Sequence, residues 1–286
     1  LSNNTYINSN SIFVNWSYTE TNFANLTFRL FNTTSSVNIT VYNTTPFYQI
    51  NVTGINSNER YTYNLTLKDY ANQDNITETR TLTLDTTFPL INFSAQTLVN
   101  NSYLSSNSIF VNWTYTETNL ANLTFTLTNL TGIVNQTIYN TTAYQINFTQ
   151  LQNTNYTYNV TIRDLANNVN TTETRTIVID TILPVPVYDN TLTLANNTYS
   201  NRNWTFINIT LTEINLANIT YAISNSSFTN TTIYNSRILQ INFTNLVDGN
   251  YTYNVTVRDL ANNANSTETR TIVIDTILPV PVYDNT

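Results

Sequence analysis

Six carboxylates recur at spacings that could hold a cation. They form two sets, each combining one carboxylate from a predicted linker with two from later in the chain. The sets are Asp85, Glu117 and Asp164, and Asp180, Glu213 and Asp259. Because Ca²⁺ prefers oxygen ligands, we predict a calcium site in each set, with Asn167 or Asn168 adding oxygens to the first. The alternative is that these residues cap turns or pair with neighbouring arginines such as Arg163 and Arg175.

A second chemistry is suggested by Asn-x-Ser/Thr sequons, which accept N-linked glycans. Many of them recur in register along the chain. The recurring sites are Asn15, Asn112 and Asn208; Asn25, Asn122 and Asn218; Asn51, Asn147 and Asn242; Asn64, Asn159 and Asn254; and Asn75, Asn170 and Asn265. Outward strand faces of Asn and Thr would produce the same pattern without glycans, but such faces could equally use lysine, and Lys68 is the one lysine in the sequence. We therefore predict a glycan-coated surface.

The residue types exclude several classes of enzyme. Cys, His and Met are absent, so there are no disulfides, no thiolate or imidazole ligands and no triad containing histidine. Paired carboxylates could act as acid and base, but the recurring ones belong to every repeat rather than to one site. We predict no enzyme, no catalytic residue and no cofactor other than structural calcium and N-linked glycans.

The composition is that of an acidic folded chain. Of its 286 residues, 41% are hydrophobic and 13% aromatic, which is enough for a packed core, while 9% are charged. The net charge of −7 argues against nucleic acid as a partner. No run approaches the roughly 20 apolar residues of a membrane span, so we predict no membrane insertion in this segment.

A repeat of 95 residues positions the candidate sites. Similar stretches begin at Tyr61, Tyr156 and Tyr251, and a period of this length suits a small β-sandwich. We predict module one over 1–88, module two over 89–183, module three over 184–278, and the first strand of a following module over 279–286. The linkers end in proline, which favours stiff junctions.

Alternating apolar and polar residues predict strands throughout and no helix. Val111 and Trp113, for example, share one face of a strand. About seven such strands fall in each module, so the predicted fold class is all-β, with three tandem immunoglobulin-like β-sandwich domains in a linear rod. In that topology the loops after Glu117 and Asp164 meet the linker that carries Asp85, and the first carboxylate set converges.

Turns in this chain must be made largely without glycine, since the sequence contains three. Asparagine also tolerates a positive φ. We predict that Asn-Asn pairs fill these positions, as at Asn100-Asn101, Asn167-Asn168 and Asn262-Asn263.

The modules differ in ways that bear on binding. Aligning them places Trp16 and Trp113 opposite Ile209, and Trp204 opposite Ser108, outside that column. We therefore interpret the tryptophan as a core residue and not as a shared recognition residue. The largest differences fall in 32–42, 129–139 and 225–234, and none of these segments is large enough to predict a dedicated binding site.

The stretch YTYNVTVRDLANN, followed by TRTIVIDTILP, resembles the last two strands of bacterial and archaeal immunoglobulin-like repeats of the Big type. The matching positions are Tyr251, Asp259, Ala261, Asn263, Asp275 and Pro279. Asn262, and likewise Asn167, stands where that family has glycine. The resemblance implies tandem arrays in large surface proteins such as adhesins, S-layer-like coats and fibres, and it implies no particular ligand.

We expect the array to continue head to tail. Segment 279–286 corresponds to the first strand of module three, and module one begins without such a strand, so either a second copy or a longer covalent chain would join them. The predicted function is a structural extracellular filament, stalk or surface coat whose partners are copies of itself. The alternative is a cell-surface adhesin that binds carbohydrate or another cell.

Overall fold

The computed structural model describes residues 1–44 and 47–283, and all regular secondary structure in these ranges is β-strand. Within them, no helix is long and apolar enough to cross a membrane. The predicted all-β fold class of tandem β-sandwiches is confirmed.

Strands occur in three successive groups. The first group is β1 (Thr5–Ile7), β2 (Ser11–Asn15), β3 (Phe23–Phe31), β4 (Ser36–Tyr42), β5 (Gln49–Thr53), β6 (Glu59–Asp69), β7 (Asp74–Ile76) and β8 (Arg80–Leu84). The second is β9 (Leu90–Phe93), β10 (Ser102–Leu104), β11 (Ile109–Thr116), β12 (Leu120–Asn129), β13 (Gly132–Tyr139), β14 (Gln145–Phe148), β15 (Asn155–Asp164), β16 (Val169–Thr171) and β17 (Arg175–Ile179). The third is β18 (Val185–Tyr188), β19 (Thr198–Ser200), β20 (Thr205–Thr212), β21 (Leu216–Ser224), β22 (Thr229–Tyr234), β23 (Gln240–Phe243), β24 (Gly249–Asp259), β25 (Ala264–Ser266) and β26 (Arg270–Ile274).

Module three shows the complete sandwich. One sheet has the order β19-β26-β24-β21-β22, with β25 paired to β24, and the other has the order β18-β20-β23. Strand β19 pairs with β26 in parallel, whereas β18 pairs with β20 antiparallel. The first part of the module therefore contributes one strand to each sheet.

Module one has the same larger sheet, in the order β1-β8-β6-β3-β4 with β7 paired to β6, but its second sheet is the pair β2-β5. In module two, β9 pairs with β11 antiparallel and β10 pairs with β17 in parallel. By compactness the chain divides into two units, and the division passes through module two. The units are Leu1–Leu98, Phe110–Ile146 and Thr157–Arg175, and Val99–Ile109, Asn147–Tyr156 and Thr176–Thr286. The predicted module boundaries stay a prediction.

The predicted alternation places the core. Val111 and Trp113 are fully buried, while the intervening strand positions are half-buried or exposed. Ile209 is buried at the position equivalent to Trp113, whereas Trp204 is half-buried. Trp16, the module one member of this column, is half-buried and packs against the core. The prediction of a core column is therefore confirmed for Trp113 and Ile209, Trp16 contributes from a partly exposed position, and Trp204 lies apart from the column.

Asparagines make the left-handed turns, as predicted. Asn101, Asn167 and Asn262 have φ of 64°, 68° and 68°. A short polar side chain tolerates this region better than other non-glycine residues do, and this lets the chain form tight turns with so few glycines.

A buried tyrosine closes one corner of each module. The hydroxyls of Tyr61, Tyr156 and Tyr251 donate to backbone carbonyls four or five residues upstream, at 2.9, 3.2 and 3.0 Å. Immunoglobulin-like sandwiches use a tyrosine in this way to brace the connection between two strands. Sequence analysis did not identify the motif, although these tyrosines open the repeated stretch.

Burial of tyrosine gives a testable dependence on pH. Burial raises the pKa of Tyr158 and of Tyr188 to about 12. A phenol whose pKa is higher in the folded state than in the unfolded state stabilises the fold fully below pH about 10, and this contribution is lost as the pH rises to about 12. We expect tyrosinate absorbance of the full chain to rise in two phases, with Tyr158→Phe reducing only the later one. A single phase near pH 10 in the folded protein would contradict this assignment.

Candidate metal centres

The structure brings the first carboxylate set together. Asp85 follows β8, Glu117 follows β11, and Asp164 is the last residue of β15. Each offers an oxygen, and these oxygens all lie within 4.8 Å of one another. Asp164 is 1% exposed and Asp85 5%, while Glu117 is half-buried. The three residues meet because two loop ends and the preceding linker share one end of the second group of strands.

The second set is arranged in the same way. Asp180, Glu213 and Asp259 also present oxygens within 4.8 Å of one another, and all three residues are buried. Two oxygens bound to one Ca²⁺ at about 2.3–2.6 Å can be at most about 4.6–5.2 Å apart. The carboxylates of each set are therefore close enough to share one ion, and the donor set fits calcium.

A single asparagine holds each linker to the turn that follows β15 or β24. The Asn168 side-chain amide donates to Asp164 Oδ2 at 2.7 Å and to the Asp85 carbonyl at 2.9 Å, while its backbone N–H donates to Asp164 Oδ1 at 2.8 Å. Asn263 makes the same three contacts with Asp259 and the Asp180 carbonyl. Asn167 is the exposed residue with positive φ, so it shapes the turn.

Asn168 thus meets Asp164 and the linker as a hydrogen-bond donor through its amide nitrogen, while its buried side-chain oxygen has no hydrogen-bond partner in the described part of the chain. An unpartnered buried oxygen can serve as a cation ligand, so the expectation that Asn168 adds an oxygen to the first set stays a prediction. A further asparagine was not recognised from the sequence. The Asn119 amide donates to Asp85 Oδ2 at 2.7 Å, and Asn215 donates to Asp180 Oδ2 at 2.6 Å. The sequence does contain a signal for these asparagines, because one stands two residues after Glu117 and the other two residues after Glu213.

None of these carboxylates forms an ion pair in the described part of the chain, although Arg237 donates to the backbone carbonyl of Glu213 beside the second set. The ion pairs in the described part of the chain join Arg80 to Glu78, Arg175 to Glu173 and Arg270 to Glu268. Arg175 therefore pairs with Glu173, and Arg163 donates to Asn167 instead of to the first set. Burial, together with the charges of Asp164 and Asp85, raises the pKa of Glu117 above its usual range, although a hydrogen bond from the Asn119 backbone opposes the shift. A divalent cation would offset this repulsion.

None of the fifteen candidate glycosylation sites is buried. The exposed ones are Asn15, Asn51, Asn75, Asn147, Asn242 and Asn265; the half-buried ones are Asn25, Asn64, Asn112, Asn122, Asn159, Asn170, Asn208, Asn218 and Asn254. Two of these side chains already hold linkers, because the amide of Asn170 donates to the Pro89 carbonyl at 2.8 Å and that of Asn265 to the Pro184 carbonyl at 3.0 Å.

No family model and no curated protein matches this chain. Among solved structures, it is similar to the fibronectin(III)-like modules of Clostridium thermocellum CbhA, with 12% identity, a TM-score of 0.38, and 68% of this chain and 100% of that chain covered. It is also similar to the FN1–FN3 domains of chicken CNTN1, with 10% identity, a TM-score of 0.34, and coverage of 94% and 95%. Likenesses this low say nothing about ligand or activity.

The asparagine contact predicts a large and local effect of one substitution. Asn168→Ala removes hydrogen bonds to a buried carboxylate and a buried carbonyl, so we expect a loss of about 3 kcal/mol in stability of this region. Hydrogen exchange of the surrounding amides in the full chain measures it. The control is Asn167→Gly, which keeps the positive φ and should change stability by less than about 0.5 kcal/mol. Equal effects of the two substitutions would contradict the assigned role.

Proposed function

We propose that this chain is a structural part of an extracellular filament, stalk or surface coat, and that it has no enzymatic activity. The observation that carries the proposal is the double occurrence of one carboxylate cluster, each copy combining a linker aspartate with two carboxylates from the loops of the next module. A catalytic centre is needed once, whereas a fastening between successive modules is needed at every junction. The repetition therefore favours a mechanical role.

Calcium is the ion that this fastening would use. Asp85, Glu117 and Asp164 would hold one ion, and the second set would hold another, each ion supplying positive charge to carboxylates that form no ion pair among the described residues. The modules would be stiffened because a linker residue and two loops bind the same ion. Extracellular fluids supply calcium at the level that weak all-oxygen sites require.

Calcium binding can be counted by calorimetry on the full chain. We expect two sites with dissociation constants of about 10⁻⁴–10⁻³ M, typical of extracellular modules. Asp164→Asn, which keeps the shape but removes the charge, should leave one site. Asp69→Asn is the matched control, since Asp69 occupies the equivalent turn of module one outside either cluster, and it should leave two.

At free calcium of 100 times the dissociation constant, binding would add about 2.7 kcal/mol of stability per site. The absence of saturable binding well above about 10⁻³ M calcium would contradict the fastening proposal.

Glycans would complete the surface. The sites best placed to carry them are Asn51 and Asn147, which lie exposed in edge strands β5 and β14. The paucity of charge leaves these faces to neutral side chains, and attached sugars would supply the solubility that charge ordinarily gives.

We expect residue-resolved mass spectrometry of the natural protein to find glycans at Asn51 and Asn147. Asn170 and Asn265 should be occupied less, because their amides already bind linker carbonyls. Bare asparagines at both exposed sites would remove glycosylation from the proposal.

Head-to-tail continuation rests on a groove beside β2. In modules two and three, strands β9 and β18 pair with Trp113–Thr116 and with Ile209–Thr212. The equivalent residues of module one, Trp16–Thr19, form no strand, and they line a groove of about 300 Å³ together with residues of β6 and β7. A strand of the β18 type would fill this groove by β-augmentation.

Pro279–Tyr283 has the sequence of β18, and Tyr283 is 95% exposed. In β18 the residues that face the core are Pro186 and Tyr188, so Pro281 and Tyr283 would enter the groove and the two valines would face outward. The sequence predicts that Val280, Val282 or Tyr283 is buried there, and the analogy with β18 selects Tyr283. Residues 284–286 of the predicted strand lie outside the described residues.

Strand docking predicts assembly that one substitution abolishes. In sedimentation of the 286-residue chain, we expect concentration-dependent association that Tyr283→Ser prevents and Val280→Ser, facing outward, preserves. A peptide with the sequence of 184–191 should compete. Boiling in denaturant separates exchanged strands, which release chains of 32.6 kDa plus glycan, from a covalent array. Association that is unchanged by Tyr283→Ser would contradict docking.

A second candidate function is adhesion to carbohydrate or to another cell. One groove of module three, whose residues differ from their counterparts in the other modules, favours it.

A further inference from the structure

Module three has a groove of about 600 Å³ at the end of β19 and the start of β20. It lies at the opposite end of β20 from Glu213, so it is separate from the carboxylate cluster. The lining combines aromatic side chains, neutral polar side chains and one charge. It includes Tyr199, Ser200, Asn201, Arg202, Trp204 and Asn242.

The groove is built from the positions at which module three departs from its own repeats. Ser200 and Leu104 occupy equivalent register positions, opposite Ile274 and Ile179. From this alignment, the residues Leu104, Ser105, Ser106, Ser108 and Ile109 of module two become Ser200, Asn201, Arg202, Trp204 and Thr205, and module one has Ile7, Asn8, Ser9, Ser11 and Ile12. Two aliphatic side chains have been replaced by hydroxyls, and two serines by tryptophan and arginine.

The core is not improved by these changes. Ile12 and Ile109 are fully buried in their modules, whereas Thr205 is 1% exposed and its hydroxyl has no hydrogen-bond partner in the described part of the chain. A buried hydroxyl without a partner costs stability. Replacement of a well-packed core residue by a polar residue without a hydrogen-bond partner points to a function at that position.

The aromatic residues and the arginine remain available to a ligand. Tyr199 is 77% exposed, and Trp204 is half-buried. The Arg202 guanidinium lies 4.9 Å from the centre of the Trp204 ring, an arrangement that holds the cation in place over the groove. No acidic residue is among those that line the groove, whereas Arg80, Arg175 and Arg270 are paired with glutamates.

We propose that this groove binds an acidic sugar, a pyranose ring that carries a carboxylate. Arg202 would pair with the carboxylate, since a guanidinium presents two parallel donors to such a group. The apolar face of the ring would pack on Tyr199, and its hydroxyls would meet Ser200 and Asn201. A few polar groups in a largely apolar groove are what fix a small ligand in one orientation. The inference deepens the adhesive function proposed above and does not depend on the filament.

The test is calorimetric titration of the full chain with oligosaccharides of a hexuronic acid, and with the matching neutral oligosaccharides. The protein is produced without glycans, because Asn242 lines the groove and carries a sequon. The solution contains a chelator, so that uronates cannot bind through calcium. We expect saturable binding of the uronate, weakened about tenfold by Arg202→Ser and by raised salt, with the neutral sugar bound more weakly and indifferent to Arg202→Ser.

Module two supplies the matched controls. The combined variant Ser200→Leu, Asn201→Ser, Arg202→Ser, Trp204→Ser and Thr205→Ile uses residues that already fold at these positions, and it should abolish binding. The reciprocal variant of module two, Leu104→Ser, Ser105→Asn, Ser106→Arg, Ser108→Trp and Ile109→Thr, should add a second site of the same preference.

Three outcomes would overturn the proposal. The first is the absence of uronate binding at millimolar concentration, and the second is a preference for acidic peptides over uronates. The third is full binding by the combined module three variant, in which case the chain binds sugar elsewhere and the adhesive function stands without this groove.

Discussion

Each carboxylate cluster depends on the hydrogen bonds that one asparagine makes to a linker. Asn168 reaches the Asp85 carbonyl and the Asp164 carboxylate with a single amide, and Asn263 repeats the contact with Asp180 and Asp259. These bonds draw a linker carboxylate against two others in a buried place. The repulsion between these carboxylates is the physical reason to expect a cation there. The cluster forms again at the next linker because Asn263 makes the same hydrogen bonds.

Residues shared by all modules and residues that differ in one module indicate different roles in this chain. Features present at each equivalent position, such as the tyrosine at the sandwich corner and the asparagine with positive φ, satisfy needs that every module shares. The groove around Arg202 and Trp204 meets no such need, since serine serves at the same places in the other modules. The other modules thus serve as a reference for each position. Compared with Ile109 of module two, Thr205 of module three lowers stability and adds no packing or hydrogen bond among the described residues.

Pairing with a first strand decides how far the second strand extends. β11 and β20 each run for eight residues beside β9 and β18, whereas β2 stops after five, and Trp16–Thr19 line a groove. Those four residues have the sequence pattern of a strand. A strand at this edge is stable only when a neighbouring strand pairs with its backbone groups and covers its apolar side.

The sequence by itself determined the all-β class, the alternation that buries Trp113, the asparagine turns at 101, 167 and 262, and the composition of the two carboxylate sets. These are local or periodic properties, and a spacing of two residues or a repeat of 95 expresses them directly. Only the tertiary structure decided that Asn119 contacts Asp85, that the Asn168 amide donates to the linker while its oxygen stays unpartnered in the described part of the chain, and that Pro186 and Tyr188 face the core of module three. It also assembled the groove at Trp204 from exchanges that sequence comparison had placed outside the core column. Each of these depends on which atoms of distant segments come within hydrogen-bonding or van der Waals distance, and the order of residues along the chain does not contain that distance.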